Sequence, residues 1–89
     1  MIVNEESKAL CRGLYEVFPP EGHEVLGFSK DNVFAVRRKS DQAILVTVGW
    51  NGDLQPIPFT ARHVWDTENI WFYPDLESLL HDLRDRSAA

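Results

Sequence analysis

Several things are scarce or missing in this chain of 89 residues. A single cysteine, Cys11, excludes an internal disulfide and fits a reducing compartment. No apolar run approaches the roughly 18 residues that a membrane-spanning helix needs. The opening residues Met1-Ile2-Val3-Asn4-Glu5-Glu6 carry neither the basic region nor the apolar core of a secretion signal, so a cytoplasmic location is expected. Positive charge is also in short supply: 9 Lys and Arg face 14 Asp and Glu, a net charge of −5. Binding to nucleic acid or anionic membrane draws on counterion release from a cationic surface, which this balance disfavours.

Motifs that carry chemistry are missing too. There is no Gly-x-Ser-x-Gly, no P-loop and no Gly-x-Gly-x-x-Gly. The three histidines, His23, His63 and His81, are far apart and form no His-x-x-x-His or Glu-x-x-His pair. Zinc requires three or four convergent ligands, and one cysteine adds little to these, so neither a metal nor a cofactor is expected. Cys11 falls on or beside the apolar face of a predicted helix, where a thiol usually acts as a small hydrophobe rather than a nucleophile. No pair of carboxylates stands out as an acid–base couple. The chain reads as a binding protein rather than an enzyme, with a site assembled only in space as the remaining enzymatic alternative.

What is present organises around Asn32 to Thr60, which reads as consecutive antiparallel strands. Val33-Phe34-Ala35-Val36 leads into Arg37-Arg38-Lys39, and Ser40-Asp41-Gln42 breaks the chain before the strongly β-prone Ala43-Ile44-Leu45-Val46-Thr47-Val48. The last of these is apolar on both sides, which predicts a central strand buried on both faces. Asn51-Gly52 predicts a tight hairpin into Leu54–Thr60, a strand that Pro56 and Pro58 would place at the sheet margin or end early. Alternation places Phe34, Val36 and Arg38 on one face and Val33, Ala35 and Arg37 on the other.

Helices flank this region. Asn4 can cap a first helix, Glu5 and Glu6 suit its positive end, and Ala9 or Leu10, then Leu14 and Phe18, with Cys11 and Tyr15 alongside, make one apolar face before Pro19-Pro20 ends it. His23 to Ser29 reads as a short strand with Gly27 at a bulge, in preference to an extended connector, followed by a turn at Lys30-Asp31-Asn32. Thr60 to Glu68 is polar and has no clear period. Asn69-Ile70-Trp71-Phe72-Tyr73 reads as one more short strand closed by Pro74, and Asp75 can cap a helix striped by Leu76, Leu79, Leu80 and Leu83. The expectation is one small α+β domain over residues 1–89. Its helices span about 4–18 and 75–86, and an antiparallel meander of four to five strands lies within about 23–73.

Two surface features could carry function. The first is aromatic: Trp50, Trp65, Trp71, Phe72 and Tyr73 all fall in the second half of the chain. Within a strand Trp71 and Tyr73 point one way and Ile70 and Phe72 the other. Trp65, Trp71 and Tyr73 are the candidate protein-binding residues if left exposed, and ordinary core residues if loops or the last helix cover them. The leading expectation is therefore a small acidic interaction module of the inhibitor, immunity or adaptor kind, taking a basic protein partner. Self-association as a homodimer through the same face or a free strand edge is the economical version.

The second feature is a basic hairpin end, Lys30, Arg37, Arg38 and Lys39, with Trp50 on an adjoining tip. Cations beside aromatics can hold phosphates and stack bases, so nucleic-acid binding is the alternative reading. The net charge favours the plainer account, a solvated hairpin end whose charges keep the strand soluble.

Overall fold

A computed structural model describes residues 5–28, 33–51 and 56–87. The chain forms α1 (Glu5–Val17), β1 (His23–Phe28), β2 (Val33–Arg38), β3 (Ile44–Trp50), β4 (Phe59–His63), β5 (Asp66–Tyr73) and α2 (Leu76–Ser87). The five strands pair in chain order, each antiparallel to the next. The protein is an α+β fold, a meander between two helices, and β3 is its central strand. The proposed cap Asn4, the turn at Lys30-Asp31-Asn32 and Gly52 of the hairpin signal lie outside the described residues.

Both helices pack on one face of the sheet. Leu10, Leu14 and Phe18 of the first helical segment meet Leu79, Leu80 and Leu83 of α2 over Phe34, Val36, Val46, Val48, Phe59 and Ala61. Successive rows across the strands build this face: Val25, Val36, Val46 and His63 stand side by side, and so do Gly27, Phe34, Val48, Ala61 and Trp71. α2 begins where expected, since Asp75 Oδ1 accepts from Ser78 N at 2.7 Å.

Gly13 sets how closely the helices approach. A Cβ there would lie 2.4 Å from Leu80 Cδ1, closer than any real contact allows. Alanine would gain about 1 kcal/mol of helix propensity but force a buried leucine aside, an overpacking that costs about 1–3 kcal/mol. Gly13→Ala is expected to lower stability by about 1 kcal/mol in urea unfolding and to raise it in a Leu80→Ala background. A stabilised single variant would show that the helices do not meet there.

Four expectations need correction. Gly27 is no bulge, because β1 and β2 stay in register throughout and Gly27 faces Phe34. The register shifts instead occur between Val36 and Arg37 and between Ala61 and His63. Pro56 and Pro58 are not in a strand. Asn51 N donates to Pro58 O at 2.8 Å and the next strand begins at Phe59, while Leu54 and Gln55 lie outside the described residues. That strand is interior rather than marginal, and it occupies the segment that had no clear period, as does the start of β5. Finally, β3 is buried on one face only. Among the described residues no helix or strand covers the second face, where Thr47 stays half-buried beside Gly49, Thr60 and the exposed Arg62.

Candidate protein-binding site around the β4–β5 hairpin

The sheet has two edges, and they differ. On β1 the backbone N–H of Val25 donates to Tyr15 Oη at 3.0 Å, so α1 takes up a donor of that edge. On the far side, among the described residues, β5 pairs only with β4. Large apolar side chains crowd this second edge. Of the seven that are exposed among the described residues, five are Val64, Trp65, Ile70, Trp71 and Phe72. Ile70 (46% exposed) and Phe72 (48%) stand out on the sheet face without helices, and Trp71 (36%) emerges at the border of the helical face.

Between β4 and β5 the chain reverses through Val64 and Trp65. Val64 N donates to Leu45 O at 3.0 Å, tethering the tip to β3. Trp65 folds back so that its ring stacks on His63, centroids 4.9 Å apart and 15° from parallel. Trp71 meets the same imidazole edge-on at 6.2 Å and lies 6.0 Å from Trp65. The Arg86 guanidinium, from the last turn of α2, sits 4.8 Å from the centroids of both tryptophans. Its Nε donates to Asp82 Oδ2 at 3.0 Å, and the same oxygen accepts from Tyr73 Oη.

The electrostatics follow from this chain of contacts. Burial, then the hydrogen bond and charge of Asp82, drive the Tyr73 hydroxyl far up from its ordinary pKa. Burial would raise the Asp82 carboxyl, but hydrogen bonds from Tyr73 and Arg86, with the nearby positive charge, outweigh it and hold the group below the usual carboxylate range. His63 is almost wholly buried, at 3% exposure, and its Nε2 has no hydrogen-bond partner among the described residues. Burial first and the Arg86 charge second lower its pKa, against smaller opposing effects of Asp82 and Asp66.

A depressed imidazole binds its proton more readily in the unfolded chain. Stability is therefore full above the unfolded pKa of about 6.5 and is lost as pH falls below it toward the folded value. His63→Phe keeps a ring and removes both the orphaned nitrogen and this proton uptake. The variant is expected to match or exceed the parent by about 1 kcal/mol at neutral pH and to lose part of the decline as pH falls below about 6.5. Denaturant unfolding across that range checks it, and an unchanged slope would place the pH dependence elsewhere.

The structure brings Trp65 and Trp71 together and separates them from Tyr73. Tyr73, at 8% exposure, belongs to the core with its hydroxyl on Asp82, so the pairing of Trp71 with Tyr73 as exposed anchors is replaced by Trp65 with Trp71. Among the described residues the cations of the basic cluster each have a partner. Arg37 pairs with Glu24 and Arg38 with Asp41, while Lys39 Nζ donates to Pro20 O at 2.8 Å. Lys30 lies outside the described residues. Trp50 sits at the opposite end of β3 from Ile44, the residue paired with Arg37, and packs against the core.

Cys11 is half-buried, and burial pushes its thiol up rather than toward the thiolate. His23 contacts Pro19 O, and His81 pairs with Asp85 on the exposed side of α2. Among the described residues no group of three or more His, Cys, Asp or Glu could hold a metal ion. No described helix is long and apolar enough to cross a membrane.

Sequence reasoning missed His63, Asp82, Arg86 and the standing of Ile70 and Phe72. Asp82 and Arg86 are spaced i, i+4 on a predicted helix, which signals a pair but not its aromatic target. No protein-family model, no curated protein and no solved structure matches this chain.

Proposed function

We propose that the chain is a protein-interaction module that receives an extended segment of a basic partner along the edge of β5. The observation that carries this reading is the concentration of exposed apolar side chains on that one strand and the hairpin leading to it. An edge strand offers unpaired backbone groups, so a partner strand can add to the sheet there, with pockets for alternate side chains giving specificity. Ile70 and Phe72 supply one face of such a seat, and Trp71 with Trp65 the other. Tryptophans at the centre of a contact commonly dominate its energy.

The partner's charge follows from that of the chain. A net charge of −5, with Glu68 exposed on β5 itself, repels a second copy and attracts a basic segment. In this reading the chain binds and does not catalyse. Crosslinking from the β5 edge in the native cell tests it, with sedimentation of the purified chain to distinguish a heterologous partner from a second copy.

A further inference from the structure

His63 is the side chain that neither the fold nor the β5 edge accounts for. A buried polar atom without a partner has lost its hydration with nothing in exchange, and native proteins leave few of them. His63 also lines a cleft of about 180 Å3, with apolar walls from Phe18, Leu45, Val46, Val64 and Leu83. Trp65 and Arg86 complete the lining. A cavity of about 150 Å3 accommodates benzene, so the volume suits one ring or a short branched chain with a small polar head.

The polar side of the cleft selects the head. Arg86 is charged and held in place by Asp82 and two tryptophan rings, so little is lost in fixing it on a ligand. One cation, already half-committed to Asp82, matches a monoanion better than a phosphate dianion. A planar carboxylate suits the guanidinium fork. The imidazole supplies a second donor if Nε2 carries the proton.

We propose that this cleft binds a carboxylate on a compact apolar body, the acid accepting hydrogen bonds from the Arg86 guanidinium and from His63 Nε2. Nε2 is closed to water by its surroundings, and Trp65, stacked on the imidazole, is 55% exposed. Ligand entry therefore displaces Trp65 from the ring, which makes tryptophan fluorescence a reporter. The acid can be a free small molecule or the C-terminus of a partner chain ending in an apolar residue, since both present the same group.

The test titrates the full chain with benzoate through the millimolar range, following His63 and Arg86 side-chain nitrogens by NMR. Benzyl alcohol, of the same ring size but neutral, is the comparison. Saturable shifts at both residues are expected, with benzyl alcohol at least about tenfold weaker, a difference of about 1.4 kcal/mol. Arg86→Gln should weaken benzoate by at least a similar factor, and His63→Phe by several-fold. No saturable shift at His63, equal affinity for benzyl alcohol, or undiminished binding by Arg86→Gln would each overturn the assignment. The comparison of benzoate with benzyl alcohol needs no variant, so it stands even if a substitution unfolds the chain. A short peptide ending in phenylalanine, free or amidated at its C-terminus, distinguishes the sources. Tighter binding of the free-acid peptide than of benzoate assigns the cleft to a partner's terminus, the reverse order assigns it to a small acid, and both sustain the inference.

Discussion

Tyr73→Ala is expected to remove about 3–5 kcal/mol of stability, which for a small single-core chain is a large part of the total. The ring is a member of the core between sheet and α2, and its hydroxyl donates to Asp82. Deleting it opens a cavity and leaves a half-buried carboxylate with Arg86 alone. Tyr73→Phe isolates the second effect and should cost about 1–2 kcal/mol. Trp65→Ala, by contrast, removes an exposed ring from the hairpin tip and should change stability by less than about 1 kcal/mol. Urea unfolding of the three variants gives the comparison. A loss below about 1 kcal/mol for Tyr73→Ala would show that this ring does not hold α2 on the sheet.

The second large effect concerns binding. Ile70→Lys with Phe72→Lys places two charges on the apolar face of the β5 edge, where both parent side chains are about half exposed. Far-UV and thermal behaviour should stay close to the parent, because neither residue belongs to the core cluster. Partner affinity should fall at least about 100-fold, or about 2.7 kcal/mol, from the loss of apolar contact combined with repulsion between the new lysines and the basic segment's own cations. Trp65→Ala with Trp71→Ala should produce a comparable loss from the other face. A partner that binds both double variants as tightly as the parent chain does not use this edge.

Much of the fold was legible because periodicity and punctuation agree in most segments. Leu10, Leu14 and Phe18 at helical spacing, two prolines after them, and the leucine stripe behind Asp75 leave little choice for the helices. The β-branched run through Val46 and Val48 marks the central strand equally well. Apart from the bulge expected at Gly27 and the second buried face expected of β3, the pattern misleads between Pro56 and Glu68. Pro56 and Pro58 lie before the strand rather than in it, while Phe59-Thr60-Ala61-Arg62-His63 alternates with a histidine and an alanine in core positions. Histidine and alanine give weak apolar contrast, so the period-2 signal of β4 was hidden.

The candidate site was half legible for the same kind of reason. Trp65 and Trp71 were visible as large aromatics, and alternation correctly opposed Trp71 and Tyr73 to Ile70 and Phe72. Which of Trp71 and Tyr73 would be covered depended on where α2 ends relative to the sheet, and sequence pattern does not contain that. His63 could not be read as buried until β4 was placed. The pairing of Arg86 with both tryptophans joins residues that only the hairpin reversal and the last helical turn bring together.

The most direct measurement of the central claim is site-specific photo-crosslinking in the cell that natively makes this protein. A photoreactive residue replaces Phe72 at the β5 edge, and as control replaces Glu21 on the exposed segment between α1 and β1. The account predicts a discrete crosslinked protein from position 72, rich in basic residues near the crosslink, absent from position 21 and lost when Trp65 and Trp71 are replaced by alanine. Equal capture from both positions, or capture from position 72 that survives loss of both tryptophans, would contradict it.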